Sequence, residues 1–288
     1  MSSQKVIEAT GLERSYGEIQ ALQDMDLHLI HGEFLGLLGP NGAGKTTTLR
    51  LIACLEKQDK GDLRVLGFNP ASDSTSILRK LGVVPQELAI YDTLSAKENL
   101  DFFAGMHGLV GARKKERVSW ALEVAGLKDR AGDLVEGFSG GMKRRLNLVV
   151  GLLHEPDLVL LDEPTVGVDP QSRNHLFQMI EGLRGKVSLI YTTHQMGEIE
   201  RLCDRIVIMD EGKVVAQGTM EDLQDLPGVR EQRVSHLAIQ QAEQAEEAAR
   251  VLKESGIECQ VDYSGADLES IFLATTGKAL RDGNQQEA

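Results

Sequence analysis

The sequence predicts an α/β protein organised around a mainly parallel sheet. Apolar, strand-like runs alternate with helix-like segments along most of the chain, the pattern of a parallel sheet with helices on both faces. One of those runs, LVLL at 158–161, is apolar throughout, as central parallel strands are. A glycine-rich loop, GPNGAGKTT at 39–47, stands between a strand-like and a helix-like segment.

The elements follow in order. Residues 4–35 read as short strands with a turn at Tyr16, Gly17 and Glu18, and 33–38 (EFLGLL) as a buried strand. After the glycine loop, 47–55 can start a helix. Residues 60–85 carry short apolar segments broken by Gly61, Gly67 and Pro70, and LGVVPQ at 81–86 reads as a buried strand ending at Pro85. Residues 93–135 are mostly helical in pattern, with Leu94, Asn99, Leu100, Phe103 and Met106 near helical spacing. Further helices are expected at 142–153, 172–184 and 195–203, and strands at 187–194 and 205–210, the last ending in a turn at Glu211 and Gly212. The composition changes near Thr219. The Ala-, Glu- and Gln-rich stretch 240–255 is a helix signal, and 233–240 and 257–264 could flank it as strands of a small α+β appendage.

The bulk numbers exclude several classes. With 288 residues, 41% apolar and 26% charged, the chain can build a real core and one large domain plus a smaller one. A net charge of −13 argues against general affinity for nucleic acid and against a broad electrostatic hold on anionic lipid. Cys54, Cys203 and Cys259 are far apart and form no C-x-x-C pair, so reduced thiols are expected. The N-terminal MSSQKVIEAT lacks the apolar core of a secretory signal. The longest apolar run of note, Leu146 to Leu153, falls far short of the ~20 residues of a membrane span, so a membrane role requires another chain.

Three motifs carry chemistry. The loop matches G-x-x-x-x-G-K-[ST], and the run Gly39, Pro40, Asn41, Gly42, Ala43, Gly44, Lys45, Thr46 and Thr47 is expected to hold phosphates. Its glycines let backbone N–H groups curl around an anion. Lys45 can reach the β- and γ-phosphates, and the Thr46 hydroxyl can ligate Mg²⁺. In LVLLDEP, 158–164, Asp162 ends a buried strand where it can hold Mg²⁺, and Glu163 can polarise an attacking water. In FSGGMKRR, 138–145, Ser139, Gly140 and Gly141 open a helix and offer a second anion-binding terminus. Lys143, Arg144 and Arg145 read as its solvated face.

Together, in this order, the motifs over residues 4–225 resemble the nucleotide-binding subunit of ATP-binding cassette (ABC) transporters. The resemblance implies a P-loop NTPase cassette with a parallel core, an antiparallel β subdomain and a helical subdomain at about 88–150. It places Tyr16 on adenine, Gln86 at Mg²⁺ or the attacking water and on the path to a membrane subunit, Asp169 at a dimer interface and His194 at the γ-phosphate. It implies ATP and Mg²⁺ as cofactors and a head-to-tail homodimer or pseudo-dimer. It also implies a separate membrane permease, no nucleic acid, and a cytoplasmic place on the inner face of the membrane. The signature departs from the common LSGGQ at Phe138 and Met142, and VGVD at 166–169 lacks the usual first serine. The segment 267–282 looks like the ending of type-2 exporter ATPases, and 226–288 could be an accessory domain. Two other classes would look different: a soluble twin cassette of translation or DNA repair needs a second loop or a long coiled-coil insertion, and a small-molecule kinase does not need the SGG helix, the Gln86 strand end or His194.

Overall fold

The computed structural model describes residues 4–226 together with 250 and 251, so the expectations for 226–288 and Cys259 fall almost wholly outside the described residues. Two long strands come first, β1 (Lys5–Tyr16) and β2 (Ile19–Ile30), joined by a two-residue turn in which Gly17 holds a φ of +61°. They form an antiparallel sheet with β4 (Lys60–Val65), in the order β2-β1-β4.

The second sheet has the order β5-β6-β7-β3-β8-β9. Its parallel strands are β3 (Phe34–Leu38), β5 (Leu81–Val84), β6 (Leu158–Asp162), β7 (Ser188–Thr193) and β8 (Arg205–Asp210). β9 (Lys213–Gly218) pairs antiparallel with β8. All residues of β3, β6 and β7 are buried, and LVLL does lie in an interior strand. β5 takes the edge, which leaves Val83 exposed.

Side chains alternate to the two faces of this sheet and enter two cores. Phe34, Leu38, Leu161 and Tyr191 join one core, with α5 (Gly140–Val150) and α6 (Pro170–Glu181). Leu35, Leu37, Leu160 and Ile190 join the other, with the antiparallel sheet and α1 (Lys45–Ile52). Helices lie on both faces as expected, α5 and α6 on one and α1 on the other, where the antiparallel sheet adds further cover because β1 and β2 offer the apolar stripe Ile7, Leu22, Met25, Leu27 and Leu29.

Local capping explains most boundary shifts. Residues 60–85, read as broken apolar segments, contain α2 (Pro70–Leu78), with Asn69 accepting from the Ala71 N–H and Pro70 in the first turn. The stretch 93–135 divides into α3 (Ala96–Met106), opened by a Ser95/Glu98 capping box, and α4 (Gly111–Val124), followed by two short 3₁₀ turns. Gly108 and Gly111, both at positive φ, make the break. Leu94 precedes the helix and Met106 is exposed, so only Asn99, Leu100 and Phe103 of the expected stripe face inward. Two short helices, α7 (Met196–Leu202) and α8 (Met220–Gln224), complete the described chain.

Candidate nucleotide site

Register brings three strand ends level. Leu38 pairs with Thr193 and Asp162 with Thr192, so the residues after β3, β6 and β7 emerge side by side at the carboxyl edge of the sheet. That edge is where open α/β sheets bind ligands.

The loop after β3 is shaped by glycine for two reasons. Gly42 and Gly44 hold φ of +85° and +101°, a region strained for other residues. At Gly39 a Cβ would lie 2.3 Å from the Met209 carbonyl oxygen, and at Gly44 it would lie 2.7 Å from that of Ala21. α1 then opens at Lys45 with no side-chain cap, which leaves its first N–H groups for a ligand. Lys45 is only 5% exposed. Its ammonium donates to the carbonyls of Gly39 (2.7 Å) and Pro40 (3.1 Å) and stands 3.5 Å from Glu163 Oε1. Burial pulls its pKa below the ordinary 10.5, against the opposing pull of Glu163.

Asp162 accepts from the hydroxyls of Thr192 (2.6 Å) and Thr46 (3.1 Å). No group of three or more His, Cys, Asp or Glu among the described residues is gathered to hold a metal unaided. The Thr46–Asp162 oxygen pair fits Mg²⁺, which takes one or two protein oxygens and completes its shell with water and phosphate. Glu163 follows with φ +43°, left-handed and uncommon for such a residue. Its N–H donates to both the carbonyl and the hydroxyl of Thr192 at 3.1 Å. The carboxylate sits between Lys45 and His194, whose Nδ1 is 3.4 Å from Oε2 yet too poorly aligned for a hydrogen bond. Lys45, Thr46, Asp162, Glu163 and His194 thus form one cluster.

Tyr16 sits at the end of β1, in the hairpin whose Ala21 and Leu22 pack on Gly44. Its hydroxyl donates to Glu56, and the Arg14 guanidinium lies 4.8 Å from the ring centroid. The ring is exposed and braced.

The remaining expected residues lie in a second group. Ser139 caps α5 by accepting from the Met142 N–H (3.3 Å), and Asp169 caps α6 by accepting from the Ser172 N–H (3.0 Å). The two caps touch through Gly141, where a Cβ would lie 2.1 Å from Ser172 Oγ. Gly140 faces open space. The Gln86 side chain is exposed and makes no hydrogen bond among the described residues. No hydrogen bond or ion pair among them joins Ser139, Gly140, Gly141, Asp169 or Gln86 to the phosphate loop. The chain thus holds two groups with no such link between them.

The basic run after the signature is not a solvated face. Arg144 donates to the carbonyls of Gln86 and Val166, Arg145 to that of Ala125, and Lys143 pairs with Asp92. All three are half-buried, because loops on both sides close over α5. Asn147, 2% exposed, accepts from the Ala89 N–H and helps hold the same segment. A polar residue inside the apolar run LNLVV was its available signal.

Loop, strand order and carboxylate pair define a nucleoside-triphosphate-binding α/β protein. A family model described as "ABC transporter" matches residues 22–166. The linearmycin resistance ATP-binding protein LnrL of Bacillus subtilis (strain 168) is 45% identical over 76% of this chain and 70% of its own length. The Nod factor export ATP-binding protein I of Ralstonia nicotianae is 32% identical over 98% and 97%. Among solved structures, a dimeric ATP-binding cassette in a post-hydrolysis state bound to ADP and Pi superposes with a TM-score of 0.67, at 26% identity, covering 74% of this chain and 98% of that one. The chain belongs to the ABC transporter family, as an ATP-binding subunit that binds and hydrolyses ATP.

Proposed function

We propose that residues 4–225 form a cassette that hydrolyses ATP between two copies, or between this chain and a similar one, and drives a separate membrane permease. Residues 226–288 are an accessory domain. The observation that carries this reading is the cluster of Lys45, Thr46, Asp162, Glu163 and His194 at three level strand ends, with the Ser139 cap in a separate half-site. A half-site that leaves one side of a triphosphate uncovered calls for the Ser139–Gly141 end of a partner.

In this arrangement Gly39 to Thr47 cradle the phosphates, and Lys45 exchanges its carbonyl partners for phosphate oxygens. Tyr16 stacks on adenine with the face that Arg14 leaves free. Thr46 and Asp162 would hold Mg²⁺, which would supply neutralisation of phosphate charge, and Gln86 would join them only by swinging its exposed side chain toward the cluster. Glu163 takes the proton from the attacking water, His194 steadies the γ-phosphate, and Asp169 meets the partner at the interface.

Among the described residues no helix is long and apolar enough to cross a membrane. The permease contact falls beside Gln86, where Leu88, Tyr91, Phe102 and Met106 are exposed and Tyr91 packs edge-on to Phe102 at 5.2 Å. The chain then works on the inner face of the cell membrane. Relatives named for linearmycin resistance and Nod factor export support export as the direction.

The test is Glu163→Gln. It is expected to bind Mg-ATP, lose turnover by at least ~100-fold and accumulate as an ATP-bound dimer on size exclusion. Near-normal phosphate release would reject Glu163 as the base.

A further inference from the structure

We propose that Glu198 is a positioning residue that holds Glu163 and His194 in register for hydrolysis. The inference rests on the roles proposed above for those two side chains.

Glu198 sits in the first turn of α7, where an acidic side chain ordinarily caps the helix start. It caps nothing. At 3% exposure it turns inward and accepts three hydroxyl hydrogen bonds. Oε1 accepts from Thr165 Oγ1 (2.7 Å), and Oε2 accepts from the Tyr191 hydroxyl (2.9 Å) and from Thr193 Oγ1 (2.8 Å). Arg173, 4.0 Å from Oε1, donates to Gln195 Oε1. Among the described residues Glu198 makes no hydrogen bond or ion pair with the phosphate loop, so a hold on that loop does not explain it.

Its partners do. Thr165 stands two residues after Glu163, and Thr193 stands directly before His194. Thr193 Oγ1 also accepts from the Gln195 N–H (3.0 Å), which fixes the turn that carries His194. Glu163 keeps a strained φ of +43°, and such a residue persists only where its surroundings over-determine it. Thr192 holds it from one side through its N–H; Glu198 holds the following segment through Thr165. One buried carboxylate therefore ties the loop after β6 to the turn after β7, across which Glu163 and His194 meet at 3.4 Å.

The test uses the full chain with Mg-ATP. Glu198→Asp keeps the charge but is one methylene short of spanning Thr165 and Thr193. It is expected to lower kcat at least ~10-fold with KM near that of the wild type, while the thermal midpoint falls by only a few degrees, the cost of one or two unpaired buried hydroxyls. Thr165→Val, isosteric and at the far end of the same network, should move kcat the same way, and it serves if Glu198→Asp does not fold. Combined with Glu163→Gln and His194→Ala together, either variant should lower the residual kcat no further than that double variant alone. A Glu198→Asp enzyme within twofold of wild-type kcat, beside inactive Glu163→Gln and His194→Ala enzymes, overturns the positioning role alone. So does a full further loss when either variant is added to the Glu163→Gln, His194→Ala double variant. Full turnover in Glu163→Gln would instead remove the site reading, and this inference with it.

Discussion

Acid should unfold this protein partly through one imidazole. His154 follows α5, and its ring stacks on that of His107 at 3.8 Å between centroids and 4° between planes. Nε2 is 3.0 Å from the Leu81 carbonyl, which makes it the protonated nitrogen, and Nδ1 is buried with no partner. Burial first, then the neighbouring His107, pushes its pKa from an ordinary 6.5 down to about 4. The unfolded chain therefore takes up a proton near pH 6.5, and the folded chain only near pH 4. Stability from this site is complete above 6.5 and is lost as the pH falls to about 4. The gap corresponds to at most about 3 kcal/mol, and about 1.5 kcal/mol once partial solvent screening is allowed for. His154→Phe keeps the stack, abolishes this titration and leaves the Leu81 carbonyl unpaired, at a cost of about 1 kcal/mol at neutral pH. Urea unfolding followed by Trp120, the single tryptophan, measures both proteins. The variant should be weaker near pH 7.5 and equal or stronger near pH 4.5. A difference that stays constant across that range would refute the argument, because carboxylates titrate alike in both proteins.

Three further outcomes are expected. Lys45→Ala should weaken ATP binding by about 30- to 100-fold in calorimetry, the loss of charged contacts to phosphate; an unchanged Kd would reject that role. Gly141→Ala forces a Cβ to within 2.1 Å of Ser172 Oγ, so turnover should fall at least ~10-fold while monomer ATP affinity holds, and Ser172→Gly should restore part of it. Full activity without the second change would rule out that crowding. Arg144→Met removes the donor to the Gln86 and Val166 carbonyls, so amide exchange should quicken at Ala89 with ATP affinity unchanged; exchange as slow as in the wild type would show that Asn147 alone suffices.

The phosphate loop and the Asp162–Glu163 pair were legible because the backbone itself dictates their residues: glycine where φ is positive, an apolar strand where both faces are covered. α2 was not, since its ASDSTS core has weak helix propensity and the helix rests on the Asn69 cap and the burial of Ile77. β9 escaped because only one side of it is covered. Strand order was out of reach too: LGVV at 81–84 reads as interior, and only packing places it at an edge. The Glu198 network was invisible for another reason. Thr165, Tyr191, Thr193 and Glu198 are ordinary residues until two strand ends and a short helix bring them together.

The back-folded Lys45 has a thermodynamic consequence. A buried ammonium with nothing to meet would strain an unliganded cradle, but here two carbonyls and a carboxylate satisfy it. In the cradle proposed above, arrival of a triphosphate is a swap of one set of oxygens for another, not the rescue of a bare cation. The net gain is less than a bare cation would yield, and on departure of the spent nucleotide the ammonium regains its carbonyl partners. A machine that must let go once per cycle is served by a grip that already has somewhere else to go.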